Sequence, residues 1–198
     1  MSEEVFNNIK DALKGKTELV MKKKLLAIGK YYAVSDTEGN TLCFVNLSWG
    51  SNLMGNVVSD HMGKWMGRSM RYTYTLTDAN EKIALEIKKT GGAWDSNFNV
   101  VEPDKNQIIG IIQLKRAFVI GNMKAQWLNY ESKNVEMSVN GNIMRRTYNI
   151  INSSGKEIAR VRHKIAAIRD TWNLEINSGE DNLYSIIFST VLDFEKEM

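Results

Sequence analysis

The sequence predicts a mainly β fold: a closed antiparallel barrel of about twelve strands enclosing a hydrophobic C-terminal helix. Three observations carry that expectation. Turn units of one design recur along the chain, the segments between them alternate apolar and polar residues, and residues 183–194 are apolar in every direction around a helix axis.

The turn units come first. Tyr32, Val34, Asp36, Gly39 and Leu42 mark one; Tyr74, Leu76, Asp78, Asn80, Ile83 and Leu85 a second; Tyr148, Ile150, Asn152, Gly155 and Ile158 a third. A looser fourth copy runs through Phe98, Val100, Glu102, Asn106 and Ile108. Asp or Asn opens a type I turn by hydrogen-bonding its own backbone, and a Gly or Asn about three residues on takes the left-handed conformation. That geometry joins two antiparallel strands through a short loop. Asp-x-x-Gly also occurs in calcium loops, but those require further acidic oxygens in register and a late Glu, which these units lack.

Alternation marks the strands. Ile83, Leu85 and Ile87 alternate with Ala84, Glu86 and Lys88. Val135, Met137 and Val139 alternate with Glu136 and Ser138, and Trp172, Leu174 and Ile176 with Asn173 and Glu175. Each pattern predicts one buried and one wetted face. About a dozen such segments exceed an ordinary sheet, and an open sheet that large must curl, split or close.

Three helices are expected. Val5, Phe6, Ile9 and Leu13 fall on one face of an amphipathic N-terminal helix within residues 1–15, ahead of a single barrel domain over 16–198. Leu53, Met54, Val57, Val58, His61, Met62, Trp65 and Met66 draw one stripe on a helix at 52–67. The third, at 182–196, carries Leu183, Tyr184, Ile186, Ile187, Phe188, Val191, Leu192 and Phe194. A helix apolar all round must be buried all round. Its apolar stretch rises only about 18 Å, too short for a bilayer core of ~30 Å. A barrel of more than about ten strands has a lumen that a central helix can fill.

Composition narrows the class. Hydrophobic residues make up 43% and charged residues 25%, proportions of a globular chain rather than a disordered one. Cys43 is the single cysteine, and the N-terminus has neither the basic start nor the apolar run of a secretory signal, so a cytoplasmic location is expected. The net charge of +3 is too small to demand a nucleic-acid partner.

The segment containing Leu19, Met21, Lys22, Lys23, Lys24, Gly29, Tyr32, Val34, Asp36 and Gly39 resembles the opening of LURP-one-related proteins. These have a basic strand, a Gly turn and an aromatic strand ending in Asp-x-x-Gly. They are grouped with tubby C-terminal domains and phospholipid scramblases. The resemblance implies a twelve-stranded antiparallel barrel around a C-terminal hydrophobic helix. Tubby domains bind phosphoinositide headgroups through basic residues. Scramblases are anchored at membranes, but the cysteine-rich palmitoylation segment and polybasic tail are missing here.

No catalytic constellation emerges. His61 and His163 lack companions at metal-ligand spacing, the acids are scattered, and Gly91-Gly92 lacks the spacing and Lys-Ser/Thr of a phosphate loop. No cofactor is implied. The best surface candidate is the basic segment 145–169, with Arg145, Arg146, Lys156, Arg160, Arg162, Lys164 and Arg169 against Glu157. Arg160, Arg162 and Lys164 share a parity and would present three cations on one strand face. Such a face suits phosphate recognition. Lys22-Lys23-Lys24 and Lys115-Arg116 form two further basic runs. The expected function is a non-enzymatic tubby-like binding module that docks anionic phospholipid headgroups or phosphorylated ligands, peripheral to a membrane. The alternative is an interaction or scaffold domain that meets a protein partner through Met62, Trp65 and Met66.

Overall fold

Five short hairpins build much of the wall of the molecule. The computed structural model describes residues 2–23, 31–48, 72–90, 95–116, 122–142, 146–165, 170–177 and 182–197. Helix α1 spans Ser2–Leu13. The strands are β1 Glu18–Lys23, β2 Tyr31–Ser35, β3 Thr41–Ser48, β4 Thr73–Thr77, β5 Ile83–Lys89 and β6 Asp95–Glu102. Then follow β7 Gln107–Arg116, β8 Asn122–Asn129, β9 Val135–Asn142, β10 Thr147–Asn152, β11 Glu157–Ile165 and β12 Asp170–Ile176. Helix α2 spans Asn182–Glu197. The predicted helix at 52–67 lies outside the described residues.

Every strand pairs antiparallel with its neighbours in sequence, and β1 pairs with β12 to close a twelve-stranded barrel. Closure removes both sheet edges. The turns β2–β3, β4–β5, β6–β7, β8–β9 and β10–β11 all fall at one rim, called here the turn rim. The remaining strand-to-strand connections leave from the opposite rim.

The turn chemistry repeats. Asp36 Oδ1 accepts the backbone N–H groups of Glu38 (3.1 Å) and Asn40 (2.9 Å). Asp78 Oδ1 accepts those of Asn80 and Lys82, both at 2.9 Å. Asn152 Oδ1 accepts those of Ser154 (3.1 Å) and Lys156 (3.0 Å). Each of the five turns holds one residue with positive φ: Gly39, Glu81, Asn106, Lys133 and Gly155. Each hairpin also carries a register shift beside its turn, at Val34/Ser35, Leu76/Thr77, Val100/Val101, Trp127/Leu128 and Ile150/Ile151. An extra residue flips the alternation locally. It corrects two expectations: Ile83 and Val135, predicted to face inward, are exposed beside their turns, and Ala84 is buried instead.

Helix α2 fills the lumen. Ile186, Ile187, Phe188, Val191 and Leu192 are fully buried, and so are Ser185, Ser189 and Thr190. The hydroxyls of Ser189 and Thr190 donate to the carbonyls of Ser185 (2.7 Å) and Ile186 (2.9 Å), which satisfies them inside the helix. Two glycines admit large rings. A Cβ at Gly110 would lie 2.2 Å from the Trp127 ring, and one at Gly141 2.1 Å from the Tyr148 ring. Trp127 in turn meets Tyr184 of α2 edge to face, with centroids 5.0 Å apart. Helix α1 buries Val5, Ile9 and Leu13 in the same core, and the Asn182 side-chain amide donates to the Leu13 carbonyl, tying its end to the start of α2.

Candidate anion-binding face

The barrel is apolar inside and polar outside. On β11, Ala159, Val161 and His163 point inward and are buried, while Arg162 and Lys164 are exposed and Arg160 is half-buried. The expected shared outer face of Arg160, Arg162 and Lys164 is therefore present. Neighbouring strands continue it. Lys22 on β1 stands opposite Thr171 on β12, which stands opposite Lys164 on β11. Two strand spacings separate the lysines, about 10 Å between backbones, a distance their flexible side chains can close around one anion. The next step along the strands places Val20, Asn173 and Arg162 in register, and the step after that Glu18, Glu175 and Arg160.

The cations of this face differ in what holds them. Arg160 donates to Glu157 at 2.9 Å, and Arg162 pairs with Glu175 at 3.1 Å. Both side chains of the second pair are close to half exposed, so the pair is worth little and yields readily to a competing anion. Among the described residues, no carboxylate holds Lys22 or Lys164. Arg146 enters β10 in the left-handed conformation (φ 54°), and its carbonyl accepts the His163 backbone N–H at 2.9 Å. Lys115 stands across from Lys124 on β8, away from this face. Arg145, His61 and the proposed partner residues Met62, Trp65 and Met66 lie outside the described residues.

Closure of the barrel joins two basic runs that are far apart in sequence. The partnership of Lys22 with Lys164 was not visible in spacing, because it depends on β1 pairing with β12. A second feature was passed over. Asp193 ends the apolar run of α2 and is fully buried. A buried acid requires partners. Its carboxylate accepts the Tyr32 hydroxyl, and its Oδ1 lies 3.9 Å from His163 Nε2. The His163 ring lies against Trp172, with centroids 4.5 Å apart and planes tilted by 39°. Burial, reinforced by Asp193, pushes the Tyr148 hydroxyl up to about 12, while Arg146 acts in the opposite sense. These groups are sealed from solvent, and they fasten α2 to the wall.

Burial also pushes the Cys43 thiol up to about 12, so it stays protonated and is a poor nucleophile. Among the described residues, no three His, Cys, Asp or Glu side chains are grouped to hold a metal ion. No described helix is long and apolar enough to cross a membrane. The wall is inside-out relative to a membrane barrel, whose outer band is apolar: Gln126, Ser138, Asn140, Asn149 and Asn173 take outward positions.

Comparison with known families gives one match: residues 17–193 fit the LURP-one-related family. Comparisons with curated proteins and with solved structures gave no match.

Proposed function

Because the chain belongs to the LURP-one-related family, we propose that its tubby-like barrel is a non-enzymatic binding module for anionic phospholipid headgroups. One observation carries this reading. The row Lys22–Thr171–Lys164 presents two ammonium groups and a hydroxyl with no carboxylate among them, and Arg162 lies one step away. Phosphate offers several acceptor oxygens and at least one negative charge, which matches such a set of donors. Each cation brought near an anionic bilayer contributes about 1 kcal/mol.

Flotation of the intact chain with phosphatidylcholine vesicles, with and without phosphatidylserine or phosphoinositide, tests it. Binding should require the anionic lipid and weaken as salt rises. Lys22→Glu combined with Lys164→Glu should lower it more than tenfold, and Arg160→Glu alone should change it little. A double variant that floats as well as the parent overturns the proposal. So does tighter binding to duplex DNA than to anionic vesicles at the same ionic strength.

A further inference from the structure

We propose that the outer wall carries a second phosphate site, on β7, β8 and β9, where Lys115, Lys124 and Asn140 stand in one cross-strand row. Among the described strand pairings, two set like charges directly opposite each other on the outer face: Glu18 with Glu175, and Lys115 with Lys124. Like charges so placed destabilise a sheet. The acid pair is relieved, because Arg162 bonds Glu175 at 3.1 Å and Arg160 stands opposite it in register. The lysine pair has no such relief among the described residues: both side chains are exposed, and no carboxylate holds either. Lys16, Lys88 and Lys105, by contrast, each hold an acid at 2.6–3.2 Å. Asp95 stands across from Lys115 on β6, on the side away from Lys124 and Asn140.

The ground around the lysine pair is neutral and rich in donors. Asn140 stands opposite Lys124, and Asn149 on β10 stands opposite Asn140. Two residues along the strands, Gln113, Gln126 and Ser138 form the next outward row. Neither row contains an acid between β7 and β10. Opposed side chains start about 5 Å apart at Cβ, so both ammonium groups reach one anion. Lysine serves phosphate as a point charge. Two such charges match a dianion, and a phosphate monoester carries about −1.5 to −2 charges at pH 7. The Asn140 and Gln126 amides supply neutral donors for its remaining oxygens. A phosphate held there also removes the repulsion between the lysines.

The site is separate from the Lys22–Thr171–Lys164 row. In the ring of twelve strands β7 lies six places from β1, so Lys115 and Lys22 are on opposite sides of the barrel. Lys115 and Lys124 therefore bind phosphate whether or not the other row meets lipid. The phosphate comes from one of two sources, a lipid headgroup or a soluble phosphate ester. With a lipid, sites on opposite walls let one chain hold two bilayers together. With a soluble ester they do not.

Titration of the intact, nitrogen-15-labelled chain with inorganic phosphate, replacing chloride at constant ionic strength, tests this. The amide signals of Lys115, Lys124 and Asn140 should shift and saturate in the millimolar range. The affinity should weaken below about pH 6, where phosphate loses its second charge. Lys124→Glu should lower it more than tenfold and raise the urea midpoint, because opposite charges then face each other across the strands. Lys22→Glu with Lys164→Glu should leave it unchanged. Absence of saturable shifts in the parent overturns the site. So do shifts that survive Lys124→Glu, shifts that vanish in the Lys22 and Lys164 double variant, or a urea midpoint that falls. Light scattering from phosphatidylcholine vesicles carrying phosphatidylinositol 4-phosphate distinguishes the sources. Vesicle clustering by the parent that Lys124→Glu abolishes, with flotation retained, assigns the site to headgroups. Phosphate shifts without clustering assign it to a soluble ester. Phosphate shifts in a parent chain that fails to float overturn the headgroup reading above and leave this site standing.

Discussion

The two faces of β11 obey different rules. Inward, Ala159, Val161 and His163 meet α2 and the neighbouring wall, and each is fixed by shape and by the partners it must satisfy. Outward, Arg160, Arg162 and Lys164 face water; Arg160 and Arg162 hold partly exposed pairs with Glu157 and Glu175 that an approaching anion can replace. The same nine residues thus hold the plug with one side and offer a surface with the other. Alternation permits this, since substitution on one face leaves the opposite face in place.

The contrast is sharpest in stability. Phe188→Ala removes a fully buried ring from the centre of the lumen and should cost about 3–5 kcal/mol in urea unfolding. Gly141→Ala is next. Its Cβ would meet the Tyr148 ring at 2.1 Å, and overpacking of this kind costs about 1–3 kcal/mol. Glu81→Gly should act in the opposite direction. Glu81 holds a left-handed backbone (φ 63°) where the first and third turn units have glycine, so relief should stabilise by about 0.5–1 kcal/mol after the entropic cost of glycine. On the outer face, Lys22→Glu with Lys164→Glu should leave stability within about 0.5 kcal/mol while vesicle binding falls. A loss of several kcal/mol there would erase the distinction between the faces.

The smallest effect is confined to acid. The Lys16 ammonium, bonded to Asp36 at 3.0 Å, together with Asn40 holds the Asp36 carboxyl at about 2, well below the usual carboxylate range. A depressed folded-state value stabilises above the unfolded value, and the contribution is lost as pH falls from about 4 toward 2. Asp36→Asn should flatten that limb of the stability profile. An unchanged profile would show that the Lys16 bond does not persist in solution.

Local chemistry was legible in the sequence. Asp36, Asp78 and Asn152 announced their turns, and residues 183–194 announced a plug, because each signal lies within a dozen residues. The β8–β9 turn was missed: Asn129 opens it, but Lys133 rather than Gly or Asn takes the left-handed position. The inverted burial of Ile83 and Ala84 was also illegible, since a bulge shows only against a partner strand. Asp193 was hidden by the apolar run that contains it. The Lys22–Lys164 row depends on closure, which no local pattern encodes. The outer face is harder to read than the core, because water accepts many side chains and packing accepts few.

The seam between β1 and β12 has a bearing on synthesis. Glu18 waits for Glu175, and Leu19 for Leu174, so the edge of the first strand stays open until β12 has emerged from the ribosome. An unclosed edge invites other chains to pair with it, and contacts between distant residues form slowly. Residues 170–197, translated after the other eleven strands, supply both the closing strand and the plug. A nascent chain halted before them therefore holds an almost complete sheet that is still able to aggregate.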